Sequence, residues 1–128
     1  MTATIATAHP IEPAVHAAHA MSDAPVPLAI TNATPFADLM TNIDAVMHSG
    51  MANASRTGQA DHDFASAMVP HHQGAVDMAK VELLYGTDPV LRRIAQEIII
   101  TQQQEIAVMQ RRLDVLQGHQ DSATRKTP

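Results

Sequence analysis

The feature that most constrains the fold is a helical repeat of apolar residues between Leu91 and Leu116. Apolar side chains recur there in steps of three and four, which places them on one face of an α-helix. Strand alternation and the residue pairs typical of hairpin turns are missing from the sequence. The repeat therefore predicts a long amphipathic helix and favours an all-α fold. Its members are Leu91, Ile94, Ala95, Ile98, Gln102, Ile106, Met109, Leu113 and Leu116.

Two shorter helical patterns precede this repeat. The first begins with Thr34 as its predicted N-cap, and the second begins with Asp61 as a cap and ends near Gly86. Asp88, followed by proline, marks the start of the third helix. Pro70 lies inside the second pattern, where the missing backbone donor predicts a kink or a short break. Three helices with short links predict a small antiparallel bundle.

The segments on either side of this bundle are predicted to be flexible tails. Residues 1–34 are rich in proline and alanine and lack periodicity, so they bury too little apolar surface to offset their ordering entropy. The bundle is predicted to span residues 35–117, and residues 118–128 form a polar C-terminal tail. Metal-binding residue types also occur in the first tail, at His9, His16, His19 and Met21.

Composition excludes several classes of protein. The absence of cysteine removes disulfide scaffolds, thiolate zinc sites, iron–sulfur clusters and cysteine nucleophiles. A formal net charge of −5 and an aromatic content of 2% argue against binding to nucleic acid. No apolar stretch reaches the length of about 18 residues that a membrane span needs. These patterns leave the cellular compartment open.

The chain has eight histidines and eight methionines, and seven of these sixteen residues lie in two short segments. In the denser segment, residues 68–78, a spacing of seven places His71 and Met78 on nearly the same helix face. A spacing of four places Met68 and His72 together on an adjacent face. One helix is therefore predicted to present two imidazoles and two thioethers within a narrow sector, and neutral imidazole is the form that binds metals.

The second segment contains Met47, His48 and Met51, with the two thioethers one helical turn apart. Thioether and imidazole ligands without thiolate or carboxylate select Cu(I), and Ag(I) by the same logic. Hard oxygen-binding ions gain little, because the chain has four Glu and no acidic calcium loop. A methionine stripe also fits simple core packing, which suits Met40 and Met109. His62 and His119 are predicted to be exposed surface residues.

Signatures of catalysis are not found, and no catalytic residue is predicted. The sequence lacks the Glu-x-x-His pairs of di-iron bundles, the His-Glu-x-x-His motif of zinc hydrolases, a glycine-rich phosphate loop and a Gly-x-Ser-x-Gly elbow. Gln102, the polar residue on the long apolar repeat, is predicted to hydrogen-bond a ligand imidazole and fix its tautomer.

The run from Asp61 to Ala79, with Met-Val-Pro-His-His-Gln-Gly-Ala at residues 68–75, resembles the signature of a known family. This is the bacterial domain-of-unknown-function family three-hundred-and-five, which includes a periplasmic copper-binding protein, and the resemblance covers about residues 35–116. It implies a ferritin-like helical bundle, periplasmic or secreted, that binds copper and contributes to copper tolerance. The ligands it implies are His71, His72 and Met78 first, followed by Met47, His48, Met51, Met68 and Met109.

Together these observations favour a soluble, non-enzymatic protein that sequesters or transfers Cu(I), with Cu(II) as a second cargo through the imidazoles. Its expected partners are copper ions and another copper-handling protein. The competing hypothesis is a helical interaction module that forms a homodimer through its Met-rich faces, with incidental histidines. A copper- or iron-dependent oxidase is the weakest alternative, because it would need a defined open coordination position.

Overall fold

The computed structural model describes residues 29–124, with side chains for residues 29–118. Three helices make up this part of the chain: α1 (Phe36–Ala52), α2 (Ala60–Tyr85) and α3 (Pro89–Thr124). No strand occurs within it, which confirms the predicted all-α class and the three helices. The predictions for residues 1–28 and 125–128, including the tail residues His9, His16, His19 and Met21, lie outside the described residues, as does the side chain of His119.

The second helix lies in the middle of the molecule. α2 packs antiparallel against α1 on one side and against α3 on the other, and within the described residues α1 and α3 make no contact with each other. The three helices therefore form a layer, and only α2 is covered on two sides. The buried apolar side chains lie along these two interfaces: Leu39, Ile43, Ala65, Val76, Ala79, Val81, Ala95 and Ile106.

A two-sided arrangement leaves large apolar side chains exposed. α3 contacts α2 through one face only, so several of its Val, Leu and Ile residues remain in solvent. Phe64 of α2 is 63% exposed. None of the helices described combines the length and apolar character needed to cross a membrane.

The link between α2 and α3 matches the prediction. Asp88 accepts hydrogen bonds at 2.9 Å from the backbone N–H groups of Val90 and Leu91, so it caps α3 as an N-cap aspartate should. Gly86 is the C-cap of α2. Arg92 donates two hydrogen bonds of 2.8 Å, to the carbonyls of Leu83 and Gly86, which satisfies backbone oxygens left without partners at a helix C-terminus.

The start of α1 differs from the prediction. Its N-cap position is Pro35, which makes no side-chain capping bond. The Thr34 carbonyl instead accepts a hydrogen bond from the Tyr85 hydroxyl at the far end of α2, and the Tyr85 ring meets Phe36 edge to face. Tertiary packing thus replaces a local cap. Ile30 packs against the same end of the core, so the packed part of the chain begins before residue 35.

The start of α2 also differs. The helix begins at Ala60 without a side-chain cap, so Asp61 does not cap it. Asp63 binds the preceding loop instead, accepting hydrogen bonds from the backbone N–H groups of Thr57 at 2.7 Å and Gly58 at 3.0 Å. Gly58 has a φ of +81°, a left-handed value that glycine adopts without strain. This loop geometry depends on contacts that a helix pattern does not reveal.

His62 is buried, with 1% of its surface exposed, and the prediction of an exposed residue is wrong. Its Nδ1–H donates to the Asp63 carboxylate at 3.0 Å. The backbone N–H of Thr57, followed by the His62 hydrogen bond, lowers the pKa of Asp63 from 3.8 to about 2. Because histidine is polar, the sequence predicts an exposed side chain, although His62 occupies a position at the start of α2 that faces the interior.

α2 runs from Ala60 to Tyr85 without interruption, so the break considered at Pro70 does not occur. The Pro70 ring lies against α1 at Gly50, where an added Cβ atom would come within 2.7 Å of the Pro70 Cβ. This contact holds the turn of α2 that contains Pro70 against α1.

At the other end of the chain, α3 continues to Thr124, beyond the predicted boundary at residue 117, since a helix needs no apolar residue to continue.

Candidate metal centre

Met47 lies directly against the backbone of α2 at Gly74. A Cβ atom added at residue 74 would be 2.6 Å from the Met47 Sδ atom and 2.8 Å from its Cγ atom. Both distances are far shorter than the roughly 3.5–4.0 Å of ordinary nonbonded contact. The absence of a side chain at Gly74 is therefore what allows the thioether to approach α2.

The two close approaches, Met47 to Gly74 and Gly50 to Pro70, fix the antiparallel register of α1 and α2. In this register Met51 is level with the turn that contains His71. His71 precedes Gly74 by three residues and Met78 follows it by four, so both share the Gly74 face of α2, with Cβ atoms about 5–6 Å from that position. The segment that contains Met47 and Met51 therefore lies opposite the segment of residues 68–78.

The side chains of this first group differ in burial. Met47, Met51 and Met78 are half-buried, and His71 is exposed. Met78 also packs against the buried cluster of Leu39, Ile43 and Val81, so it contributes to the core as well.

His48 lies on the same helix as Met47 and Met51 and is exposed. Its Nδ1–H donates to the Asp44 carbonyl at 2.7 Å. A backbone carbonyl only accepts, so Nδ1 carries the proton and the neutral ring keeps its lone pair on Nε2. A hydrogen bond of this kind fixes the tautomer of many metal-ligating histidines.

His72 faces the opposite interface, between α2 and α3. His71 is exposed, and its ring centroid lies 6.0 Å from that of His72, with the ring planes tilted by 60°. His72 Nε2 lies 2.9 Å from Glu105 Oε2, while His72 Nδ1 is buried without a partner. In the neutral ring, donation from Nε2 leaves a free lone pair on the buried Nδ1.

Two methionines accompany His72. Met109 lines the same hollow of about 510 Å³ as His72 and Glu105. His72 faces Glu105, and α2 and α3 run antiparallel. Met68 lies one turn before His72, and Met109 lies one turn after Glu105. Met68 and Met109 are therefore level with each other. The candidate ligands therefore form a first group of Met47, His48, Met51, His71 and Met78 and a second group of Met68, His72 and Met109.

The hydrogen bond predicted for Gln102 is not formed. Its Oε1 is buried without a partner, and the side chain of α3 that contacts an imidazole is Glu105, three residues later. Sequence reasoning missed Glu105 because it is charged and lies beside the apolar repeat. Its spacing from Gln102, which places both residues on the same side of α3, was the signal that could have identified it.

Imidazole and carboxylate groups alone do not assemble a metal site in the part of the chain with described side chains. No three side chains of the His, Cys, Asp and Glu types converge there. Both groups of candidate ligands also contain thioethers.

Comparison with known proteins shows similarity over part of the chain. The chain is similar to uncharacterized protein L153 of Acanthamoeba polyphaga mimivirus, with 39% identity over 54 residues. The match covers 42% of this chain and 36% of the viral protein's length. Its name states no activity. A family model gives the broader result: residues 29–113 match domain of unknown function (DUF305), and the chain belongs to this family.

Proposed function

We propose that this chain is a copper-binding protein that sequesters or transfers Cu(I) through methionine and histidine side chains. The observation that carries the proposal is the approach of Met47 Sδ to α2 at Gly74. Gly74 is one helical turn from both His71 and Met78 of α2, which supports a site shared by these residues and Met47. Ligands from two helices then serve one ion, as in metal sites of other helical bundles.

The ligand chemistry of the first group favours Cu(I). Met47, Met51 and Met78 offer three uncharged sulfur atoms and His71 one imidazole, a soft set that suits Cu(I) and Ag(I) rather than ions that prefer oxygen. His71 and His48 are exposed, which gives copper access from solvent or from another protein. This exposure supports exchange of copper rather than permanent enclosure.

The imidazole of the second group offers a place for Cu(II) as a second cargo. Glu105 holds His72 in the tautomer that leaves Nδ1 free, an arrangement of carboxylate and imidazole that recurs around metal-ligating histidines. Glu105 occupies the opposite ring nitrogen, so it positions the imidazole, and imidazole nitrogen is a donor that binds Cu(II) as well as Cu(I). Burial of the unpartnered Nδ1 costs free energy unless this atom accepts a hydrogen bond or binds a metal ion.

We infer that this binding serves copper homeostasis or tolerance, in the periplasm or outside the cell, with copper exchanged with another copper-handling protein. The resemblance to a family with a periplasmic copper-binding member supports this setting, as does a chain without cysteine, since thiols oxidise readily there. We also infer that the protein is non-enzymatic and that its helices have a ferritin-like arrangement with a bend at Pro70.

The test is an anaerobic competition titration of Cu(I) against a chromophoric chelator, with the full chain and three variants. Met47→Leu removes the sulfur and nearly conserves volume. Disturbing an outer-shell partner of a metal site costs roughly 10–100-fold in affinity, and loss of a direct ligand should cost at least as much. We therefore expect Met47→Leu and His71→Ala each to weaken Cu(I) binding by at least this factor. Met40→Leu, a thioether packed on the core, is the matched control and should bind copper normally.

Two results would reject the proposal. A wild-type chain that cannot compete with the chelator does not handle Cu(I). Binding that is equally weakened by Met40→Leu and Met47→Leu reflects general loss of packing rather than a site. A Cu(II) titration of His72→Ala tests the second group separately, since its loss of affinity should leave Cu(I) binding unchanged.

A further inference from the structure

An exposed stripe of α3 runs beside the face that contacts α2. It follows steps of three and four residues from Leu91 to Arg112, over about 32 Å of helix. Leu91, Ile94 and Val108 are between 42% and 54% exposed. Shallow hollows of about 300 to 510 Å³ follow the stripe along its whole length, three of them between α2 and α3 and one on α3 itself. The α3 stripe consists of Leu91, Ile94, Ile98, Thr101, Glu105, Val108 and Arg112.

The spacing of this stripe is that of the contact positions of a coiled coil. A heptad repeat with contacts in alternating steps of three and four packs against another helix. α1 does not reach α3, so no described helix of the same chain covers the stripe. One flank of the stripe is occupied by α2, and the other carries the polar row Glu97, Gln104 and Arg111, seven residues apart and all exposed.

The charges of this polar row match a second copy of the chain in the antiparallel direction. If Ile98 faces Val108 of the second copy, Thr101 faces Glu105 and Ile94 faces Arg112, while Leu91 lies beyond the stripe of the second copy, opposite Val115. Glu97 then lies beside Arg111 of the second copy, and Gln104 lies beside its own equivalent on the twofold axis. Both copies contribute the same pair, as an isologous interface requires. A parallel pairing leaves Glu97 and Arg111 without charged counterparts.

We propose that the α3 stripe is a homodimer interface, in which two copies pack their third helices antiparallel about Gln104. The α2 helices of both copies then lie on the same side of this pair, which gives a four-helix arrangement and covers the exposed Phe64. Neither Glu97 nor Arg111 takes part in an ion pair within the described residues, so both are available for the second copy. The dimer requires no copper.

Charge reversal tests the pairing without disturbing the core. Sedimentation equilibrium of the copper-free full chain should give twice the 13.7 kDa chain mass. Glu97→Arg or Arg111→Glu alone should weaken dimerisation about tenfold or more, because two symmetry-related pairs become repulsive. The double variant Glu97→Arg/Arg111→Glu should restore it. Asp114→Arg makes the same charge change on the far side of α3 and should have no effect.

Cross-linking tests the register. The chain has no cysteine, so Gln104→Cys introduces a single thiol that meets its equivalent on the proposed axis and should form a disulfide between copies under mild oxidation. Gln103→Cys, one residue away and outside the interface, should cross-link far more slowly. A monomeric wild-type chain overturns the proposal, including the case in which residues 1–28 cover the stripe. Equal cross-linking of both variants, or failure of the double charge variant to recover, also overturns it.

Discussion

Replacement of Gly74 by alanine tests the contact on which the first group of candidate ligands depends. The new Cβ atom would lie 2.6 Å from Met47 Sδ and 2.9 Å from Met47 Cβ. The sulfur could rotate away, but the Met47 Cβ is fixed to the backbone, so the two helices must separate by some tenths of an ångström. Overpacking of this kind costs about 1–3 kcal/mol.

Helix propensity acts in the opposite direction, since alanine is favoured over glycine by about 1 kcal/mol inside a helix. The expected net change for Gly74→Ala is therefore a loss of about 1 kcal/mol in the free energy of unfolding, with an upper limit of about 2 kcal/mol. Urea unfolding followed by circular dichroism measures it. Because Met47 is displaced, the same variant should also lose affinity for Cu(I).

Gly118→Ala is the matched control, because it makes the same substitution within α3 and its added Cβ meets nothing within 4 Å. It should stabilise the protein by up to about 1 kcal/mol, so the difference between the two variants isolates the overlap with Met47. If Gly74→Ala is as stable as Gly118→Ala, the thioether is not held against α2, and the argument for the first group fails.

Three further outcomes are expected. The folded-state pKa of Asp63, about 2, lies below the unfolded value of 3.8, so its stabilisation is present above about pH 4 and is lost as the pH falls towards 2. Asp63→Asn should therefore lower the free energy of unfolding at neutral pH, and a deficit that stays constant down to pH 2 would contradict this. Asp88→Ala should cost about 1 kcal/mol in thermal unfolding, through loss of the α3 cap, and an unchanged melting temperature would refute the cap. Cu(I) at a hundredfold excess over its Kd should add about 2.7 kcal/mol to stability if it binds the folded chain only, whereas retained binding without stabilisation would place the ligands in residues 1–28.

The helices themselves could be predicted from the sequence because their apolar spacing is regular. Leu39 and Ile43, four residues apart on one face of α1, are both buried, and Asp88 caps α3 because an aspartate before proline is a strong local signal. The starts of α1 and α2 differ from the prediction, because α1 is held by a contact from the far end of α2, and the loop before α2 is held by a residue inside that helix. Tyr85 and Asp63 supply those contacts, and neither is part of a local capping pattern.

The candidate centre was predictable residue by residue but not in its arrangement. Helical spacing separates His71 from His72 by about 100°, yet it does not state which neighbouring helix each will face. The small size of Gly74 decides that Met47 meets the His71 side, and the antiparallel register of α3 decides that Glu105 meets His72. Both depend on helix-to-helix contacts, which a one-dimensional pattern does not contain.

The central position of α2 has a consequence for how the protein opens. α1 is attached to the rest of the described structure through α2 alone, whereas α2 and α3 are joined by a short link that Arg92 closes with two hydrogen bonds. α1 can therefore detach as a unit while the α2–α3 hairpin stays folded, so its amide protons should exchange with solvent well before those of α2. An ion bound between Met47 and His71 would then leave through this partial opening, at a rate set by the release of one helix and not by unfolding of the whole chain.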